Sequence, residues 1–212
     1  MGLLFTKHLS EATLGVWEIT EPLHELVQDT VLTPEEAKAF QNLKAPQRKK
    51  QWLSYRHIIP HLKPHLNRSG ILYDAYGKPY PKDRSAFLSV SHAGKFSAMI
   101  ASKTKHVGID IECMHPRIHK ISAKFLSENE KSWLGPDPGL ESLYLVWGAK
   151  ESLYKLHGKG QLVFSEHLHT EPFVYSGSGE FWGQILNAGK VTRYQLHYET
   201  IDDYILVYTM SA

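Results

Sequence analysis

A chain of 212 residues with a single cysteine, Cys113, cannot build an internal disulfide framework, and that suits a reducing compartment. No apolar run approaches the ~20 residues of a membrane-spanning helix. The first residues lack the charged start, apolar stretch and small-residue cleavage site of a signal peptide. A cytoplasmic protein without a membrane partner is the expectation. Ser91-His92 is not framed by the small-residue elbow of the Gly-x-Ser-x-Gly hydrolases, which argues against a serine nucleophile there. His57, His61 and His65 recur every four residues, but Pro60 and Pro64 interrupt their helix. No thiolate or carboxylate completes a zinc set, so they read as part of a basic surface. Nothing around Cys113 argues for a lowered pKa, and it reads as structural.

What the chain does have is an uneven distribution of charge. Its net charge is only +2, yet residues 44–84 hold ten Lys or Arg against Asp74 and Asp83. That segment is +8, and the remainder, fourteen basic against twenty acidic residues, is −6. A basic stretch in an otherwise acidic chain points to a polyanionic ligand. Aromatics accompany it (Trp52, Tyr55, Tyr73, Tyr76), but no nucleic-acid module surrounds them, so a phosphorylated small molecule is favoured over nucleic acid.

Local signals mark the elements. Gly15 to Ile19 reads as a strand. Thr33-Pro34-Glu35-Glu36 opens a helix with a capping box, and Ser127-Glu128-Asn129-Glu130 opens another through Leu134. A basic helix is expected from Pro46 to Ile59, with Trp52, Tyr55 and Ile59 at helical spacing and Arg48 and Arg56 on nearly one face. Asp74 to Pro79 is a loop. Phe87 to His92 forms a strand that turns at Gly94 and returns as Ser97 to Ser102. From Leu162 to Met210 the pattern is β-rich. Strand–helix–strand order on both sides of residue 104 predicts an α+β fold with lobes 1–104 and 105–212.

The most specific chemistry lies in Val107-Gly108-Ile109-Asp110-Ile111-Glu112. On a strand, Asp110 and Glu112 share one face while Ile109 and Ile111 take the other. Two adjacent carboxylates repel unless a cation lies between them. Mg²⁺, an oxygen-seeking ion satisfied by one or two carboxylates plus phosphate and water, meets that need. On the helix after Pro138, Leu143, Val146, Trp147, Leu153 and Tyr154 make an apolar stripe, with Glu151 and Lys155 four apart at its edge. Lys150 falls inside the stripe. Either its stem packs while the ammonium reaches solvent, or it meets an anion in a cleft.

Taken in order, several segments resemble the 4′-phosphopantetheinyl transferase superfamily in its longer, surfactin-synthetase-activator type. They are Arg48 to Arg56, Tyr76-Gly77-Lys78-Pro79-Tyr80, Ser89-Val90-Ser91-His92-Ala93, Gly108 to Glu112, Phe125 to Glu130, and Trp147 to Lys155 with Gly158-Lys159-Gly160. The resemblance covers roughly residues 34–163. It implies two similar α/β lobes packed as an intramolecular pseudo-dimer, so that a monomer suffices, with coenzyme A between them. It also implies the reaction of a holo-acyl-carrier-protein synthase. A serine of an apo acyl or peptidyl carrier protein attacks coenzyme A, takes the 4′-phosphopantetheine arm and releases 3′,5′-ADP. By the family pattern Asp110, Glu112 and Glu151 hold Mg²⁺, and His92 and Lys155 contact the phosphates. Arg48, Arg56, Lys78 and Ser91 fall on its coenzyme A side, and Glu151 is placed to take the serine proton, directly or through a water. Ser91-His92-Ala93 departs from the family's frequent Ser-His-Ser, and the stretch from Thr33 to Arg56 is short. Two other readings use the same residues: a catalytically silent relative that binds coenzyme A or a carrier, and a metal-dependent nucleotide phosphohydrolase.

Overall fold

The computed structural model describes residues 2–62 and 70–212. Lys63, Pro64, His65 and Arg68 of the basic segment lie outside the described residues. The chain divides into two compact units, Met1–His106 and Val107–Ala212.

In the first unit, strands β1 (Leu3–His8) and β2 (Thr13–Glu18) precede helices α1 (Leu23–Asp29), α2 (Pro34–Gln41) and α3 (Pro46–Ile58). A short hairpin, β3 (Ile71–Tyr73) with β4 (Pro79–Pro81), leads to β5 (Phe87–Ala93) and β6 (Phe96–Ser102). The sheet is antiparallel in the order β1-β2-β6-β5. Both sequence signals for α2 hold: Pro34 starts it, and Thr33 and Glu36 form the reciprocal capping box. α3 ends at Ile58, where Pro60 converts the chain to a single 3₁₀ turn. Its Trp52, Leu53, Tyr55 and Ile58 form a core with Leu88, Met99 and Ala101 of the sheet.

In the second unit, β7 (Val107–Cys113) is followed by α4 (Ile118–Phe125), α5 (Glu128–Leu134), α6 (Leu140–His157) and α7 (Phe164–His167). Strands β8 (Leu168–Thr170), β9 (Ser178–Asn187), β10 (Lys190–Ile201) and β11 (Tyr204–Met210) complete it. The sheet order is β7-β11-β10-β9-β8, antiparallel throughout, with β7 at one edge. The mixed α+β class expected from the sequence stands; the one addition to the β-rich C-terminal stretch is the four-residue α7. Helix α6 lies across the sheet. Leu143, Val146, Ala149 and Leu153 pack on Phe181, Ile185, Leu196 and Val207, while Trp147 and Tyr154 flank that core. Gly158 ends α6 in the left-handed conformation, as glycine does at helix C-termini.

The capping box of α5 does more than start a helix. Glu130 accepts from the Ser127 backbone and hydroxyl, and also from the backbone and hydroxyl of Thr170. Its remaining partner is Lys150, whose Nζ lies 2.6 Å away with both side chains fully buried. Lys150 also donates to the carbonyls of Phe125 and Phe164. Both sequence expectations for Lys150 are therefore corrected: it neither reaches solvent nor faces a ligand cleft. From inside the core it ties α6 to α4, α5 and α7, and through Glu130 to β8.

Candidate functional site

Strand alternation sets the site in the second unit. Gly108, Asp110 and Glu112 share a face of β7, where Asp110 stands opposite Val207 and Glu112 opposite Ile205 of β11. That face meets α6 at very short range. A Cβ built on Gly108 would fall 1.9 Å from the Ser152 carbonyl oxygen. One on Gly148 would fall 2.9 Å from Val207 Cγ2 and 3.7 Å from Asp110 Oδ2. Ser152 Oγ then donates to the Val207 carbonyl at 2.9 Å. Two glycines thus let helix and strand touch, and the acids of β7 come beside the side chains of α6.

Lys155 Nζ reaches Asp110 Oδ1 at 2.6 Å and the Ile109 carbonyl at 3.2 Å. Trp147 Nε1 donates to Glu112 Oε1 at 3.4 Å. Burial, and then the negative charge of Asp110, pushes the carboxyl of Glu112 up to about 7, against the lowering pull of Trp147 and Lys155. Burial and the charge of Asp110 likewise raise Glu151 to about 7, with Lys155 opposing. One ammonium thus faces three carboxylates that feel one another.

Among the described residues, no group of three or more His, Cys, Asp or Glu stands ready to hold a metal ion. The donor set still fits a hard cation. Its oxygens are anionic and crowded, and Mg²⁺ completes its shell with phosphate and water rather than with an all-protein cage. A divalent ion there would oppose both causes that raise Glu112 and Glu151, their burial and the negative charge of Asp110.

Apart from Lys155, the coenzyme A residues expected from the sequence lie in the first unit. Alternation along β5 sends His92 to the side of α3, where Arg48 contacts His92 Nε2, and sends Ser91 to the opposite face. Gln47 and Gln51 donate to the Gly94 carbonyl and hold α3 against the same hairpin. Lys78 sits on the β3–β4 turn, which Asp74 shapes by accepting from the Tyr76 and Lys78 amides. Burial pulls the Lys78 ammonium down to about 8, against the attraction of Asp74.

Arg56 does not share a face with Arg48 in the way that eight-residue spacing suggests. It turns inward to pair with Glu36 at 2.9 Å, donates to the Trp52 carbonyl and stacks 3.1 Å over the Trp52 ring. Glu36 is saturated in turn by the Thr33 and Ile71 amides. A cavity of about 280 Å³ opens here, lined in part by Thr30, Leu32, Ile59 and Gly70. Nη2 of Arg56 has no hydrogen-bond partner among the described residues.

The sequence reading missed several contributors. Trp147 falls in the apolar stripe and heads the Trp147 to Lys155 segment, and its position four residues before Glu151 puts both on one helix face. Glu36 and Glu130 were visible only as capping-box members. Gly108 and Gly148 gave no signal beyond their presence beside the acidic motifs.

Comparison with known proteins bears on the second unit most directly. A family model for the 4′-phosphopantetheinyl transferase superfamily matches residues 106–209. A 4′-phosphopantetheinyl transferase of Bacillus subtilis is 38% identical over 101 residues, 45% of either chain. Sfp of Bacillus subtilis strain 168 is 34% identical over 116 residues, 50% of this chain and 51% of Sfp. AcpT of Escherichia coli K12 is 33% identical over 122 residues, 54% of this chain and 62% of AcpT. The chain thus spans about half the length of the curated relatives it matches. The acids of β7 and the Glu–Lys pair of α6 lie inside the matched region, so the likeness to the 4′-phosphopantetheinyl transferase superfamily covers the site itself.

Proposed function

We propose that this protein transfers the 4′-phosphopantetheine arm of coenzyme A to a serine of an apo acyl or peptidyl carrier protein and releases 3′,5′-ADP. The observation that carries the reading is the meeting of Asp110, Glu112, Glu151 and Lys155 at the β7–α6 contact, within the matched residues. Asp110, Glu112 and Glu151 hold Mg²⁺. When bound, that ion would supply positive charge to the pyrophosphate as its phosphoanhydride bond breaks. Lys155 and His92 stabilise the oxygens of the leaving group, while Arg48, Lys78 and Ser91 hold the nucleotide part of coenzyme A. Arg56 offers one leftover donor, Nη2, beside its cavity.

In the transfer, the serine oxygen forms a bond to the β-phosphorus of coenzyme A, and the phosphoanhydride bond to 3′,5′-ADP breaks. The serine proton passes to a base. Glu151, with a carboxyl near 7 in the metal-free chain, is suited to accept it directly or through a water. A cytoplasmic, monomeric protein belongs to the same reading.

The test is intact-mass spectrometry of an apo acyl carrier protein incubated with this protein and coenzyme A, with Mg²⁺ or with EDTA. A gain of one phosphopantetheine arm, lost in EDTA, supports the transferase and its metal together. Coenzyme A binding without transfer to several carriers would favour the catalytically silent relative. Release of phosphopantetheine or phosphate without any carrier would favour the phosphohydrolase.

A further inference from the structure

Lys155 contributes more than a positive charge near the acids. Its Nζ occupies Asp110 Oδ1 at 2.6 Å, a ligand atom that a cation at this site would use. The two side chains differ in freedom. Asp110 is 3% exposed, held between β7 and α6 beside Gly148, whereas Lys155 is 26% exposed. The carboxylate is fixed, and the ammonium is the group able to leave.

From this geometry we propose that Lys155 is the resident counter-cation of Asp110 and competes with the divalent ion for it. The inference rests on the reading of Asp110 as a metal ligand. A divalent ion on either oxygen of Asp110 meets the ammonium at short range, and the two repel. Lys155 must therefore swing away as the ion binds. An anionic phosphate gives the displaced ammonium a new partner, so metal and phosphate bind with positive coupling, and metal alone binds weakly. Glu112, Glu151 and Trp147 also stand around this exchange, and none of the three supplies a second cation.

The experiment measures Mn²⁺ binding to the full chain without coenzyme A, by the electron paramagnetic resonance signal of the free ion. Lys155→Met should bind Mn²⁺ at least about fivefold more tightly than the unaltered protein, the lower end of usual coupling factors. Exposed Lys159→Met, which changes net charge equally, should stay near the unaltered value. Adding Asp110→Asn to Lys155→Met should erase the gain. Should Lys155→Met fail to fold, Lys155→Gln removes the same charge with a polar tip.

Equal or weaker Mn²⁺ binding in the Lys155 variant would overturn the proposal, as would an equal gain in Lys159→Met. If the unaltered protein nonetheless transfers the arm in the mass assay, the transferase reading survives that failure. Absence of Asp110-dependent binding in every variant would overturn both the exchange and the metal assignment.

Discussion

Glu112 and Glu151 each hold a carboxyl near 7 against an ordinary value of 4.5, and this couples the site to stability. An acid whose pKa is raised by folding favours the fold while protonated, and that contribution is lost as pH rises through the folded value. Metal-free protein should lose thermal stability between about pH 5 and pH 8. Thermal melts in EDTA across that range measure the slope. Glu151→Gln should flatten it, and an unchanged slope would mean that Glu151 titrates normally. The same residues carry the chemistry. Asp110→Asn or Glu112→Gln should lower transfer by about 100-fold or more in the mass assay, the scale of losing one electrostatic contributor to a transition state. Near-native turnover in either variant would dismiss the metal assignment.

Between elements, the buried Lys150–Glu130 pair and the two close-contact glycines decide where α6 lies. Removing one member of a buried pair costs about 3–5 kcal/mol, because the other charge is stranded. Lys150→Met should therefore lower the unfolding free energy by that order in urea titration, and Glu130→Gln in the same chain should recover part of it. Additive losses would show that the two side chains do not act as a pair. Gly108→Ala should be the more damaging glycine substitution, since its Cβ meets the Ser152 carbonyl of the backbone. In Gly148→Ala the Cβ meets the side chain of Val207, which has room to adjust. The same titration ranks them. Elements were legible in the sequence wherever their signals were local: both capping boxes, the Gly94 hairpin turn and the Gly158 stop are where the residues placed them. Lys150 was not, because its partner is twenty residues away and was already accounted for as a helix cap.

Over the whole molecule, counting charge along the chain overstated the basic character of residues 44–84. Glu35 and Glu36 lie just outside that window, yet they pair with Lys82 and Arg56. The Lys82 pair is exposed and contributes little to stability, but both pairs dilute the positive field. Duplex DNA should accordingly show no retardation in a gel at physiological salt, and clear retardation would restore nucleic acid as a partner. The candidate site was legible as motifs: Asp110 with Glu112 from strand alternation, Glu151 with Lys155 from helical spacing. Their meeting was not, since it depends on a 3.4 Å Trp147 contact and on glycines whose absent side chains leave no pattern to read.

Strand β7 divides its labour between two faces, with fully buried Ile109 and Ile111 on one and the two acids on the other. The two isoleucines are not among the residues proposed to work on the strand. A chain silenced at Glu112, the less buried acid, can therefore keep its shape. Such a form would offer a stable decoy for trapping coenzyme A and a carrier together, stalled before the arm changes hands.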